Sequence, residues 1–133
     1  MKIKEVDINN INNLDTGRLS FIQWGDDIPF DVKRIYYITE VKAGVTRGFH
    51  SHRTLRQFMF CPYGKIRLSF DDGISTEDYI LDTPYKGLII EPGIWRTMTW
   101  LQDNSVLCVA ASEKYDEADY IRDYSLFLES VKK

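Results

Sequence analysis

The run Arg56-Gln57-Phe58-Met59-Phe60-Cys61, the break Pro62-Tyr63-Gly64 and the run Lys65-Ile66-Arg67-Leu68-Ser69-Phe70 together decide the fold class. Both arms are rich in the aromatic and branched residues that suit a pleated, half-buried surface, and the short Pro/Gly break between them reads as a hairpin. The same pattern continues on either side. Asp71-Asp72-Gly73 closes the second arm with a turn, and Glu77 to Leu81 is the next strand, ended by Asp82-Thr83-Pro84. Gly87 to Ile90 stops at Pro92-Gly93, and Trp95 to Leu101 and Val106 to Ala111 flank Gln102-Asp103-Asn104. Upstream, Lys33 to Thr39 is a strand reached through the loop Asp26 to Phe30, and Ile3 to Ile8 and Leu19 to Gln23 enclose a loop of Asn9 to Gly17. Short strands at spacings of roughly ten residues mean an all-β sandwich or barrel. Only the C-terminus reads as helical: Asp116 to Tyr120 makes one turn, and Ser125 to Val131 starts on a capping residue and sets Leu126, Phe127 and Val131 at helical spacings.

Composition bounds what such a domain does. The 133 residues make a single domain, 1–133, large enough to bury on the order of two-thirds of its unfolded surface. A net charge of −3 argues against nucleic acid, which wants a basic surface. No run approaches the ~18 apolar residues of a membrane span, and Met1 to Asn10 lacks the apolar stretch of a secretory signal. Cys61 and Cys108 lie in apolar runs and are expected to be buried free thiols in a reducing cytoplasm. Any catalytic imidazole is His50 or His52, because the chain has only 2 histidines.

Those two lie in Gly48-Phe49-His50-Ser51-His52. Residues i and i+2 of a strand share a face, so both rings point the same way and Phe49 packs on the other. Gly44 stands six positions before His50, Gln57 five after His52, and Gly64 seven after Gln57; downstream come Gly87, Pro92, Gly93 and, three further on, Arg96. In spacing and order this resembles the two motifs of the cupin superfamily, which implies a small jelly-roll barrel. Metal cupins bind through three His and one Glu. Here Gln57 stands in place of the acid and Arg96 in place of the third His. A guanidinium has no lone pair to offer a cation, and two neutral imidazoles alone are a poor metal site. We therefore expect no catalytic metal and no cofactor. Two imidazoles beside a guanidinium suit proton transfer and stabilisation of an anionic intermediate.

A closer resemblance rests on Ile28-Pro29-Phe30, Lys33 to Ile38, Arg47 to His52, Gly87-Leu88 with Pro92, Trp95-Arg96 and, most specifically, the run Ala111 to Arg122 containing Tyr115-Asp116-Glu117-Ala118-Asp119-Tyr120-Ile121. Over about Asp7 to Phe127 the chain is similar to the sugar 3,4-ketoisomerases, which are metal-independent cupins. They move the ketone of dTDP-4-keto-6-deoxyglucose from C-4 to C-3 through an enediolate, ahead of a transaminase that makes a 3-amino-3,6-dideoxy sugar. The resemblance implies His50 as the base. It also implies that His52 orients the sugar or shuttles a proton, and that Arg96 holds the developing oxyanion or a hydroxyl. Tyr37 is expected to offer its hydroxyl to the pocket while Tyr36 faces away. A homodimer is expected by analogy, and the apolar alternation of Met1 to Ile8 wants a sheet edge. The Arg96 form is closer to the members giving the gluco product at C-4 than the galacto product.

The nucleotide needs cations for its diphosphate and an apolar slot for its base. Arg47, Arg18 and Gln57 are the expected substrate contacts, with Lys33 and Arg34 as further cations. Arg47 reaches the His face only if the strand bends near Gly48. Two alternative readings are a metal-free cupin epimerase of nucleotide keto-sugars and a non-catalytic sugar-nucleotide binder. The epimerases pair a His with an Asp and a Tyr acid, a pattern not traceable along this sequence. Trp95 and Trp100 are expected to fill the core or a dimer surface, Met59 to fill the core, and Asp71-Asp72-Gly73 to turn a hairpin. Asp116, Glu117 and Asp119 are expected to serve a turn, a helix N-terminus or contacts with Arg122.

Overall fold

A computed structural model describes residues 1–132. Twelve strands follow in chain order: β1 (Ile3–Asp7), β2 (Asn9–Asn12), β3 (Arg18–Phe21), β4 (Arg34–Ile38), β5 (Thr46–His52), β6 (Gln57–Tyr63), β7 (Ile66–Asp71), β8 (Thr76–Leu81), β9 (Lys86–Ile90), β10 (Trp95–Trp100), β11 (Val106–Ala111) and β12 (Tyr120–Ile121). One helix, α1 (Tyr124–Val131), ends the chain. Two five-stranded antiparallel sheets, ordered β1-β9-β6-β11-β4 and β12-β5-β10-β7-β8, face each other as a small jelly-roll barrel of the cupin type; β2 and β3 form a separate ribbon.

The Arg56-to-Phe70 segment is where the expected pairing fails. β6 pairs with β9 and β11 while β7 pairs with β8 and β10, so the Pro62-Tyr63-Gly64 break is a corner between sheets and not a hairpin. Gly64 adopts φ +101°, and a Cβ there would lie 2.0 Å from Ser105 Oγ, which accepts from the Lys65 amide at 2.8 Å. Ser105 thus leaves room for no side chain at position 64. The Asp71-Asp72-Gly73 turn does make a hairpin, β7–β8, with Asp72 Oδ1 accepting from the Ile74 and Ser75 amides.

The barrel interior holds Met59, Cys61, Leu68, Phe70, Leu88, Ile90, Met98, Trp100 and Val109. The indole of Trp100 donates to the Ser105 carbonyl at 2.7 Å. β6 is buried on both faces: Phe58 packs outward with Ile8, Ile28, Ile89 and Ala110, under Ile22, Phe30 and Val32 of the segment before β4. Cys61 is buried, and burial pushes its thiol up to about 11; Cys108 is only half-buried, because it faces outward on β11. β1 takes the edge of its own barrel beside β9. Part of the expected Asn9–Gly17 loop is strand β2. The cap of α1 is Asp123, whose carboxylate accepts from the Leu126 amide at 3.0 Å, two residues earlier than Ser125. Phe127 anchors the helix under Trp95. Among the described residues no helix is long and apolar enough to cross a membrane.

Candidate active site

β5 and β10 carry the two halves of the site. Arg96 pairs with His50 and Thr97 with Gly48, so Phe49 is an extra residue bulged out of the ladder. Gly48 at φ +99° and Phe49 at φ +58° make the bulge, and a Cβ on Gly48 would lie 2.9 Å from the Arg96 carbonyl. The extra residue changes which side chains share a face. Arg47, three before His50, pairs with the inward-facing Met98 and so joins His50 on the barrel side. Phe49 does not pack behind the strand; it is half exposed at the pocket mouth.

His50 and His52 both face inward, with ring centroids 4.9 Å apart and the planes at 82°. Tyr120 closes over them, at 5.1 Å from His50 and 4.5 Å from His52. Nδ1 of His50 and Nε2 of His52 are buried without a hydrogen-bond partner among the described residues. Burial, with the Arg96 charge added, lowers His50 to about 4; the same two causes, with His50 itself, lower His52 to about 3. Both rings are therefore neutral at pH 7 and can accept a proton.

Arg96 is 1% exposed. Its guanidinium donates to Gln57 Oε1 and, from Nη2 at 3.0 Å and Nε at 3.3 Å, to the Ile94 carbonyl. Burial brings it down to about 10, against the pull of Tyr36, Tyr120 and Asp119, so it stays charged at pH 7. Gln57 is fully buried, and its Nε2 donates to the Tyr36 hydroxyl at 3.0 Å. With both ends of its amide engaged, Gln57, the expected substrate contact, ties Arg96 to Tyr36 inside the barrel. The tyrosine assignment is reversed. Tyr36 lies in the barrel, its phenol raised above the ordinary value by burial, whereas Tyr37 is 68% exposed on the outer face. Strand alternation requires one of the two to point out. The register Tyr36–Val109–Met59 puts the inward one on the core layer.

The cavity beside His50 has a volume of about 460 Å³ and is lined by Arg34, Tyr36, Ile38, Arg47, Phe49, Met98, Tyr120 and Arg122. Arg34 stacks 5.2 Å from the Tyr36 ring centroid. Arg122 is held by Glu117 at 2.7 and 3.0 Å over the Tyr120 ring. Arg18 does not reach this cavity within the chain. It lies on the β2–β3 ribbon, bonded to Asn10 and 5.0 Å from the Tyr85 ring centroid, at a separate apolar cavity of about 610 Å³ outside the first sheet. The sequence reading missed Asp119, whose carboxylate lies 2.9 Å from His52 Nδ1. The available signal was an acid in the Tyr115-to-Arg122 run, which a barrel as such does not require. Asp116 caps the turn by accepting from the Ala118 amide, and Glu117 takes Arg122, leaving the third acid for the histidine.

A jelly-roll barrel with paired imidazoles and a buried guanidinium in its two motif positions defines a cupin of the proton-transfer kind. The family model described as "FdtA: WxcM-like, C-terminal" matches residues 1–132. The chain is 40% identical over 117 residues, 88% of its own length and 84% of the relative's, to the TDP-4-oxo-6-deoxy-alpha-D-glucose-3,4-oxoisomerase of Aneurinibacillus thermoaerophilus. A histidine-to-asparagine variant of the 3,4-ketoisomerase QdtA from Thermoanaerobacterium thermosaccharolyticum, crystallised with TDP-4-keto-6-deoxyglucose, matches with a TM-score of 0.92 at 37% identity, over 97% of this chain and 93% of that one. A 3,4-ketoisomerase from Helicobacter canadensis matches with a TM-score of 0.95 at 36% identity, over 98% of each chain. The chain belongs to the FdtA family of sugar 3,4-ketoisomerases.

Proposed function

We propose that this protein converts dTDP-4-keto-6-deoxyglucose to dTDP-3-keto-6-deoxyglucose, supplying a 3-keto sugar for amination. The observation that carries the reading is an imidazole, His50, on the wall of a cavity of about 460 Å³, with the Tyr36 phenol on the same wall and the fully buried Arg96 paired with His50 across the β5–β10 ladder behind it. His50 takes the proton from C-3, and the electron pair forms the C-3–C-4 double bond of an enediolate while the C-4 oxygen takes up charge. Arg96, buried behind the cavity wall, lowers the energy of that charge through a low-dielectric layer, where electrostatic effects are strong. The C-3 hydroxyl proton passes to the C-4 oxygen, C-4 receives a proton in place of the one taken from C-3, His50 gives its proton up again, and the ketone is left at C-3; no oxidant is needed. Tyr36, and not Tyr37, is the phenol placed to serve the oxygens. Arg47 and Arg34 at the mouth suit a diphosphate. We assign the gluco product.

The test is incubation with dTDP-4-keto-6-deoxyglucose in deuterated water, followed by NMR of the ring protons. Ketoisomerisation puts deuterium at C-4 and moves the ketone, and His50→Asn abolishes exchange. The His52–Asp119 pair is a feature that the epimerase alternative calls for; exchange at C-3 or C-5 with the ketone left at C-4 would establish that alternative instead. Coupling constants of the reduced product report the stereochemistry, and an axial C-4 hydroxyl refutes the gluco assignment. A homodimer belongs to the same reading. Trp24 and Ile35 are left exposed on the 610 Å³ outer cavity, and Tyr37 is exposed two residues along β4 from Ile35, an apolar patch of the kind that a second copy covers. Light scattering should give twice the mass of the 15.6 kDa chain, and Ile35→Glu should halve it.

A further inference from the structure

Asp119 is placed by the short 3-10 turn Glu117–Asp119, and it is 8% exposed. Its Oδ1 accepts from the Thr54 amide at 2.7 Å and from the Thr54 hydroxyl at 2.9 Å, while Oδ2 faces His52 Nδ1 at 2.9 Å. Burial raises the carboxyl, but the Thr54 and His52 bonds outweigh it and hold the group below the ordinary carboxylate value. An ionised carboxylate only accepts, so the proton of the contact belongs to His52 Nδ1, and the lone pair belongs to Nε2. That Nε2 is the buried nitrogen with no partner among the described residues. A buried acceptor left unpaired costs about 1–3 kcal/mol, and groups retained in that state warrant a functional account.

We propose that Asp119 is a positioning residue: it locks His52 in the Nδ1–H tautomer, so that Nε2 stands as the second proton acceptor of the site, beside His50. The inference rests on the ketoisomerase reading and deepens it. As the ketone moves, the C-3 hydroxyl proton goes to Nε2 and is returned to the C-4 oxygen, with no net change in the protein. The imidazolium formed in between faces Arg96 from β10, His50 from its own strand, Tyr120 from β12 and Asp119 from the turn. Asp119 is the carboxylate among them, and it opposes the repulsion by Arg96.

The chain has 2 histidines, so the nitrogen spectrum of protein labelled with 15N-histidine contains only the ring signals of His50 and His52. In the wild type His52 should show Nδ1 protonated and Nε2 bare. In Asp119→Asn the side-chain carbonyl keeps the Thr54 bonds and the amide donates to Nδ1, which drives the proton to Nε2. There kcat should fall about 10²–10⁴-fold, the range for loss of a general base or its tautomer, with KM changed less than about threefold. A wild type with the proton on Nε2 would overturn the proposal, as would an Asp119→Asn protein that switches tautomer and keeps kcat. Should Asp119→Asn fail to fold, the wild-type spectrum still decides the tautomer. Thr54→Val, which removes one anchor and leaves the carboxylate, then tests the positioning: a several-fold loss of kcat supports it and full activity overturns it. A wild type with Nδ1 protonated that leaves the keto-sugar unchanged would overturn the ketoisomerase reading and the relay with it, while the tautomer lock would stand.

Discussion

Acidification from pH 7 to pH 5 should weaken the fold by about 4 kcal/mol, through the two histidines alone. His50 and His52 titrate near 4 and 3 in the folded barrel and near 6.5 in the unfolded chain. Because the folded values are depressed, the unfolded state binds the protons first. Stability is fully present above about pH 6.5 and drains away as pH falls toward the folded values. Each imidazole contributes a slope of about 1.4 kcal/mol per pH unit below 6.5, or about 2 kcal/mol by pH 5. Asp119 and Glu117 are held below the ordinary carboxylate range by their hydrogen bonds, so they stay ionised throughout this window. A loss of about 4 kcal/mol is a large fraction of the roughly 5–15 kcal/mol that holds a domain together. With a urea m-value of about 1.5 kcal/mol/M, it moves the midpoint by about 2–3 M. Urea titrations at pH 7, 6 and 5 and one protein concentration measure it, and His50→Asn or His52→Asn should each halve the slope. Equal stability at pH 7 and pH 5, with an unchanged m-value, would mean that the imidazoles titrate normally and are not a pair of buried neutral bases.

The remaining predictions concern the groups around those rings. Tyr36→Phe strips Gln57 Nε2 of its acceptor and should cost about 1–3 kcal/mol and at least tenfold in kcat, whereas Tyr37→Phe on the outer face should stay within twofold; thermal melts and steady-state rates separate the pair. Arg96→Met leaves Gln57 Oε1 without its donor and removes a charge that depresses both histidines. The rate should fall about 10²-fold or more, and both imidazole pKa values, followed by NMR, should rise. Gly48→Ala puts a Cβ 2.9 Å from the Arg96 carbonyl at φ +99° and should cost about 1–3 kcal/mol. Its loss of activity should exceed its loss of folded protein, because the bulge that aims Arg47 and His50 is disturbed.

Periodicity made the strands visible, and the spacing of Gly44, His50, His52, Gln57 and Gly64 made the barrel recognisable. The shared face of the two imidazoles follows from the period of a strand, and the unsuitability of Arg96 as a metal ligand follows from its chemistry; neither needs coordinates. What lay beyond the sequence were relations set by distant parts of the chain. Whether Tyr36 or Tyr37 points inward depends on the register of β4 against β11, a single-residue choice that alternation leaves open. Arg47 faces the site because Phe49 is bulged out where β5 meets β10. The Pro62-Tyr63-Gly64 break turns a corner because β6 and β7 find their partners in different sheets, β9 and β11 for one and β8 and β10 for the other. Asp119 reaches His52 across 67 positions, a separation at which no local pattern carries information. The sequence by itself determined which chemistry was available: two scarce imidazoles and a guanidinium in the motif positions. Only the tertiary structure decided how it is deployed, because burial makes both imidazoles neutral and because a long-range hydrogen bond, formed only in the closed barrel, chooses the nitrogen of His52 that carries the proton.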